Sequence, residues 1–244
     1  MKEQENVTTQ TFETFIVSRS NEKAYSACVD LVDNPRGKLV VLYGANSLGK
    51  SHLLCAVRNA FIKKNPDSVV YFTYYEELIS KYVAALNKNE ADVFVDSLLE
   101  IDLLIMDNMQ FVAGKSYTQE EIANWMTRMI TAGKTVVVAF DRPIKYYHAL
   151  LNMVIKSNPE KCKVIEIKRP DHMLRKKYLN RLLTEIPVKL PFVIRKYLAY
   201  SHRMPFTALN GFLHKCDLLE KQKGKVLTVL ETRKCLSSYM HKEV

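Results

Sequence analysis

Gly44, Gly49, Lys50 and Ser51 stand at the spacing G-x-x-x-x-G-K-S, in the run Gly44-Ala45-Asn46-Ser47-Leu48-Gly49-Lys50-Ser51. Each fixed position has a chemical reason. The two glycines let the backbone turn tightly around an anion. Loop amides and the start of a following helix present N–H groups and a positive dipole end to phosphate. A lysine at this place reaches β- and γ-phosphates, and the serine hydroxyl can hold Mg²⁺. The candidate nucleotide-binding set is therefore Gly44, Ala45, Asn46, Ser47, Leu48, Gly49, Lys50, Ser51 and the adjacent His52, with ATP or ADP and Mg²⁺ as the expected ligands. The alternative is a coincidental glycine-rich turn. It is weakened by a strand pattern before the loop and a helix pattern after it.

Two further carboxylates could serve the same chemistry. Asp107 ends the apolar run Leu103-Leu-Ile-Met-Asp107, where a strand-end carboxylate would orient Mg²⁺ beside Ser51. The next residue is Asn108, which cannot act as a general base. Asp141 follows a second apolar run and fits two readings equally: a sensor of the γ-phosphate, or the start of a turn toward Pro143.

These residues need elements to position them. Residues 38–43 (KLVVLY), 69–73 (VVYFT), 103–106, 135–140 (TVVVAF) and 163–167 read as buried strands. Helical periodicity covers 51–64, 75–86, 92–99 and 119–132. Alternating strands and helices predict a parallel sheet covered on both faces. After Pro170 the strand signal ends, Asp171 is placed to cap a helix from His172, and three or four helices follow. The expected organisation is a short disordered tail at 1–10, an α/β nucleotide-binding base at 11–170 and a helical lid at 171–244.

Charge is unevenly spread over the 244 residues, whose formal net charge is +10. Residues 171–244 carry 15 Lys and Arg against 6 Asp and Glu, whereas 1–170 carry 21 against 20. A basic C-terminal third suits an acidic partner such as nucleic acid, or else a solvated Lys-rich surface. By contrast, 71–110 holds eight acidic residues against Lys81 and Lys88, a surface that repels phosphate backbones. The five cysteines are scattered, with no C-x-x-C pair. That excludes the usual zinc spacing and suits reduced, buried thiols. No stretch approaches the ~20 apolar residues of a membrane span, and the polar start lacks a secretory signal, so a cytoplasmic protein is expected.

Several blocks together resemble the AAA+ module of the DnaA/Hda family of bacterial replication initiators and regulators. They are Thr11-Phe-Glu-Thr-Phe15 with Ser20, Asn21 and Ala24; Leu42-Tyr-Gly44 through Leu53; and Asp102 through Asp107. Gln110-Phe111, Gln119-Glu-Glu121 and Asp141-Arg142 complete them. The resemblance implies a P-loop AAA+ α/β sheet followed by a small all-helical lid, with residues 11–15 packing near the adenine. It implies Walker A and Walker B roles for 44–51 and Asp107, and a sensor 1 role for Asp141. Departures are equally specific. Asn108 replaces the second Walker B acid. The family's arginine finger would fall near Ser157-Asn158, where Lys156 is the nearest cation, and its sensor 2 arginine near Thr207. The given sequence has no counterpart of the family's C-terminal duplex-binding domain. No clear clamp-binding motif of the Hda kind stands near the N-terminus.

The resemblance implies a nucleotide-binding accessory or regulator of replication initiation with weak or no hydrolysis. Its partner would be DnaA or another replication protein, with nucleic acid at the basic lid and homo-oligomerisation left open. A hydrolysing helicase-loader ATPase and a small-molecule P-loop kinase are the competing readings. The first needs a hydrolytic residue that is not found, the second arginines converging on an acceptor pocket.

Overall fold

The computed structural model describes residues 9–201 and 204–240, with side chains at all of these but 148, 149 and 240. Most of the expected tail, residues 1–8, lies outside the described residues. Thr9 and Gln10 are held in place: Thr14 Oγ1 donates to Thr9 O at 3.1 Å, and Asn59 Nδ2 to Gln10 O at 3.0 Å. The chain divides into two compact units, Met1–Phe15 with Asn21–Lys168, and Ile16–Ser20 with Arg169–Val244.

The first unit runs α1 (Glu22–Asp33), β1 (Leu39–Tyr43), α2 (Lys50–Lys64), β2 (Val70–Tyr74), α3 (Tyr75–Asn87), α4 (Ala91–Leu99), β3 (Leu103–Asp107), α5 (Ser116–Thr131), β4 (Thr135–Phe140), α6 (His148–Ser157) and β5 (Cys162–Glu166). The strands form one parallel sheet in the order β2-β3-β4-β1-β5. Strand side chains alternate between two cores, as a period of two requires. Leu39, Val41, Leu104, Met106, Val136 and Val138 face a layer that includes Leu78, Trp125, Met126 and Leu150. Val40, Leu42, Leu103, Ile105, Val137 and Ala139 face Leu31, Leu53, Leu54 and Phe61. Both faces are thus covered, which explains why the three inner strands β1, β3 and β4 are almost wholly apolar rather than alternating.

Three helices depart from the sequence reading. The sequence marks α1 only as part of an opening segment, and its N-cap Asn21 makes no side-chain capping bond. α6 is only ten residues long, with the apolar stretch Ala149–Leu151 and Met153–Ile155 broken by Asn152, too short for periodicity to separate helix from strand. α5 begins at Ser116, three residues before the expected start.

The second unit holds α7 (His172–Glu185), α8 (Phe192–Tyr200), α9 (Phe206–Lys223) and α10 (Val229–Met240). Asp171 caps α7, its Oδ1 accepting from Leu174 N at 2.7 Å. The core gathers Leu179, Leu182, Ile194, Leu198, Leu209 and Phe212. Buried Arg175 donates from Nη1 to Met204 O at 2.8 Å and from Nε to Leu198 O at 3.4 Å, pinning the chain after α8. Among the described residues no helix is long and apolar enough to cross a membrane.

Candidate nucleotide-binding site

The site forms where β1, β3 and β4 end. β1 runs into Gly44, whose N–H donates to Phe140 O at 3.2 Å and folds the loop over the end of β4. A methyl group at position 44 would lie 2.5 Å from Ile167 O. Gly49 has φ +87°, and a Cβ there would lie 2.9 Å from the Phe15 ring. Both glycines are therefore required by the backbone path. Ser47, with φ 62°, is a non-glycine residue in the left-handed region of the same loop, a local strain of order 1 kcal/mol. Ala45 and Asn46 are exposed at the tip, while Ser47 and Leu48 are half-buried.

α2 starts at Lys50 with Gly49 as its N-cap, and no side chain caps its first turn. The first amides of a helix lack intrahelical acceptors and carry the positive dipole end. Lys50 is 9% exposed and donates from Nζ to Gly44 O and Ala45 O, both at 2.8 Å. Burial lowers its pKa, while the carboxylates of Asp107 and Asp141 act on it in the opposite sense.

Ser51 Oγ donates to Asp107 Oδ2 at 2.6 Å, joining the loop to the end of β3. The other carboxylate oxygen, Asp107 Oδ1, accepts from Asn108 N at 2.8 Å. Asn108 itself adopts φ 57°, a conformation that Asn tolerates better than most residues. The structure thus brings Lys50, Ser51, Asp107 and Asp141 to one place. An ammonium, a hydroxyl and a hard carboxylate beside uncapped amides fit a triphosphate and Mg²⁺ by chemistry.

Asp141 Oδ1 is buried and accepts no hydrogen bond, with Arg142 Nε 3.9 Å away. Beside it is a residue that the sequence reading missed, Tyr147. Its buried hydroxyl also lacks a partner, and burial, with Asp141 adding, pushes its pKa up to about 12. The only signal for Tyr147 was an aromatic pair a few residues after Pro143.

His52 turns to the opening segment. Its Nε2 lies 3.0 Å from Thr11 O and 3.2 Å from Thr14 Oγ1, and its ring packs edge-on to Phe15 at 5.2 Å. It tethers residues 11–15 beside the loop. At the position expected for an arginine finger, Lys156 and Ser157 are exposed, and Asn158 is buried with Nδ2 unbonded. Thr207 is exposed on α9.

A parallel sheet, a glycine loop opening a helix on β1, and a carboxylate on β3 facing that helix define a P-loop module of the AAA+ class. Residues 7–159 match the bacterial DnaA ATPase domain, and the chain belongs to that family. The chromosomal replication initiator protein DnaA of Chloroflexus aurantiacus is 31% identical over 209 residues, which are 84% of this chain and 43% of that protein. The chain thus spans less than half the length of this relative. Domain III of the Thermotoga maritima replication initiation protein DnaA superposes with a TM-score of 0.80 at 24% identity, covering 95% of this chain and 97% of that one. A replication initiator DnaA solved with AMPPCP and single-stranded DNA superposes with a TM-score of 0.71 at 25% identity, covering 88% and 65%.

Proposed function

We propose that this chain binds ATP or ADP with Mg²⁺ on residues 44–51 and acts as a cytoplasmic, nucleotide-dependent accessory or regulator of chromosomal replication initiation, turning its nucleotide over slowly or not at all. The observation that carries this reading is the Ser51–Asp107 contact at 2.6 Å beside buried Lys50, followed by Asn108 in place of an acid. In support, a relative of this fold is described as bound to a non-hydrolysed ATP analogue. The replication role rests on the family and on what its relatives are called.

In this reading the loop amides and Lys50 hold the phosphates. Ser51 and Asp107 would hold Mg²⁺. Mg²⁺ held there would supply positive charge against the phosphates. Asp141, half-buried just after β4, and buried Tyr147 would register the terminal phosphate. The side-chain amide of Asn108 cannot take a proton from water, and no arginine stands at 157, 158 or 207 to neutralise charge developing in the transition state. A single such arginine contributes ~10³–10⁵ in rate in related phosphoryl transfer. Nucleotide occupancy, rather than turnover, then becomes the signal read by a partner such as DnaA. The exposed acids Glu76, Glu77, Glu90, Asp92, Asp96 and Glu100 on and beside α3 and α4 suit a protein contact there rather than a phosphate backbone.

Calorimetry with ATP and ADP in Mg²⁺, paired with a turnover assay, tests the reading. Wild type is expected to bind both nucleotides and hydrolyse far below the usual AAA+ rate. Lys50→Ala is expected to weaken binding roughly 10–100-fold, as loss of a charge-assisted hydrogen bond would. A folded wild type that ignores both nucleotides, or hydrolyses ATP rapidly, defeats it.

A further inference from the structure

Three helices of the first unit leave a cavity of about 380 Å³ between them, with Tyr82 from α3, Ala91, Asp92 and Val95 from α4, and Glu121 and Trp125 from α5 in its lining. Its size falls at the lower end of ligand cavities. Part of the wall is aromatic: Tyr82 and Trp125 meet edge-on with centroids 4.6 Å apart, and Phe94 packs against both at 5.5 Å. Acids line it too. Glu121 Oε2 accepts from the Tyr82 hydroxyl at 2.8 Å, and Asp92 is exposed. Among the described residues neither carboxylate is in an ion pair. The cavity's own cation, Arg128, is already taken by Asp96 at 2.8 Å. Residues 90–100 hold four acids, all exposed, and no Lys or Arg. Two lining residues also carry unmet polar atoms: Trp125 Nε1 and Thr127 Oγ1 are buried without a hydrogen-bond partner, a condition that folded proteins seldom leave uncompensated.

These features select a ligand. Unpaired carboxylates beside aromatic rings attract an organic cation and repel an anion. A metal ion needs a denser donor set, and among the described residues no group of three or more His, Cys, Asp or Glu side chains could hold one. A guanidinium suits the wall better than an ammonium, because it is planar, stacks on rings and is more weakly hydrated. The unmet indole N–H and hydroxyl call for a carbonyl oxygen as well. One arginine within a peptide supplies both groups, and the acids around the cavity complement basic neighbours in that peptide. We propose that this cavity receives an arginine side chain from a basic segment of a partner protein. The guanidinium lies against Tyr82 and Trp125 and bonds to Glu121, while Glu90 and Asp92 meet the flanking charges. The inference rests on the protein contact proposed above for α3 and α4, and not on nucleotide binding.

Trp125 is the single tryptophan of the chain, so its emission reports on this cavity alone. The test titrates the full chain with an alternating Arg-Gly-Ser peptide and follows that emission, with anisotropy of the labelled peptide as a second readout. The arginine peptide is expected to change the emission and to bind about tenfold more tightly than its citrulline counterpart, which keeps the shape and loses the charge. Nα-acetyl-arginine amide, lacking charged neighbours, should bind about tenfold more weakly than the peptide. Glu121→Gln should weaken peptide binding about tenfold, as loss of a charge-assisted bond does. Ala91→Phe, which fills the cavity from α4, should abolish the emission change; urea unfolding checks that each variant is folded. Lys50→Ala should bind the peptide as wild type does, so the nucleotide reading fails or stands separately. Equal affinity for the citrulline peptide, or binding indifferent to both Ala91→Phe and Glu121→Gln, would overturn the proposal. Equal affinity for the peptide and the single amide would make this a small-cation site and overturn the docked segment. Binding lost in Glu90→Gln with Glu100→Gln, yet kept in Ala91→Phe and silent in Trp125 emission, would retain the acidic contact and overturn the cavity. No binding by either readout would defeat both.

Discussion

A carbonyl oxygen 2.5 Å from where a methyl group would sit leaves no room at position 44. Gly44→Ala is therefore expected to cost ~1–3 kcal/mol in stability and to weaken nucleotide binding, because the backbone must shift to relieve the clash. Thermal denaturation with and without Mg²⁺-ATP checks both effects. Asn108 offers the opposite test. Its φ of 57° suits Asp about as well as Asn, whereas longer side chains are strained there. Asn108→Asp would place a carboxylate beside Asp107, at the proposed Mg²⁺ site, without disturbing the turn. Single-turnover hydrolysis should rise at least tenfold, yet stay below the ~10²–10⁴ of a fully positioned base, since the arginines are still missing. At this scale the P-loop and Asp107 were legible because their chemistry fixes residue types at fixed spacing. The partners of Lys50 and the placing of Tyr147 were not, because both depend on how separate segments pack together. His52 was grouped with the phosphate loop by adjacency, yet its bonds go to Thr11 and Thr14.

The five strands were legible because buried parallel strands are runs of β-branched and apolar residues, and TVVVAF admits little else. α1 and α6 were not, since one lacks a capping side chain and the other is too short for its periodicity to tell helix from strand. α1 is tied to the sheet by Asp30, which accepts from Lys163 Nζ of β5 at 2.8 Å and from Lys38 Nζ at 3.2 Å. Those two bonds lower its pKa to about 2 from the ordinary 3.8. A depressed carboxylate pKa adds stability above the unfolded value, and that contribution is lost as pH falls from the unfolded value through the folded one. Asp30→Asn should destabilise by no more than ~1 kcal/mol at pH 7, given the exposure of the pair. Its difference from wild type should close as the pH is lowered from about 5 toward 2, measured by urea unfolding. In the helical unit, Arg175→Ala would strand the Leu198 and Met204 carbonyls. It should lower stability by ~2–4 kcal/mol, with amide exchange in α7 and α8 accelerated first.

For the molecule as a whole, charge and ligand act on stability in separable ways. A ligand that binds the folded state alone raises stability by about 2.7 kcal/mol at a hundredfold excess over Kd. Mg²⁺-ATP should therefore raise the Tm of wild type and leave Lys50→Ala nearly unmoved, in a differential scanning experiment run at equal salt. The parallel sheet also sets how errors spread. β1, which launches the phosphate loop, and β3, which ends in Asp107, are not neighbours; β4 separates them, and every residue of β4 is buried. At the usual strand spacing that wedge sets the axes of β1 and β3 about 10 Å apart, the span that the Ser51–Asp107 contact closes. A random-mutagenesis screen for impaired magnesium affinity would then recover Val137 and Ala139 alongside Ser51. Both side chains lie buried in an apolar layer. Each simply sets the gauge between the two rails on which the ligand must rest.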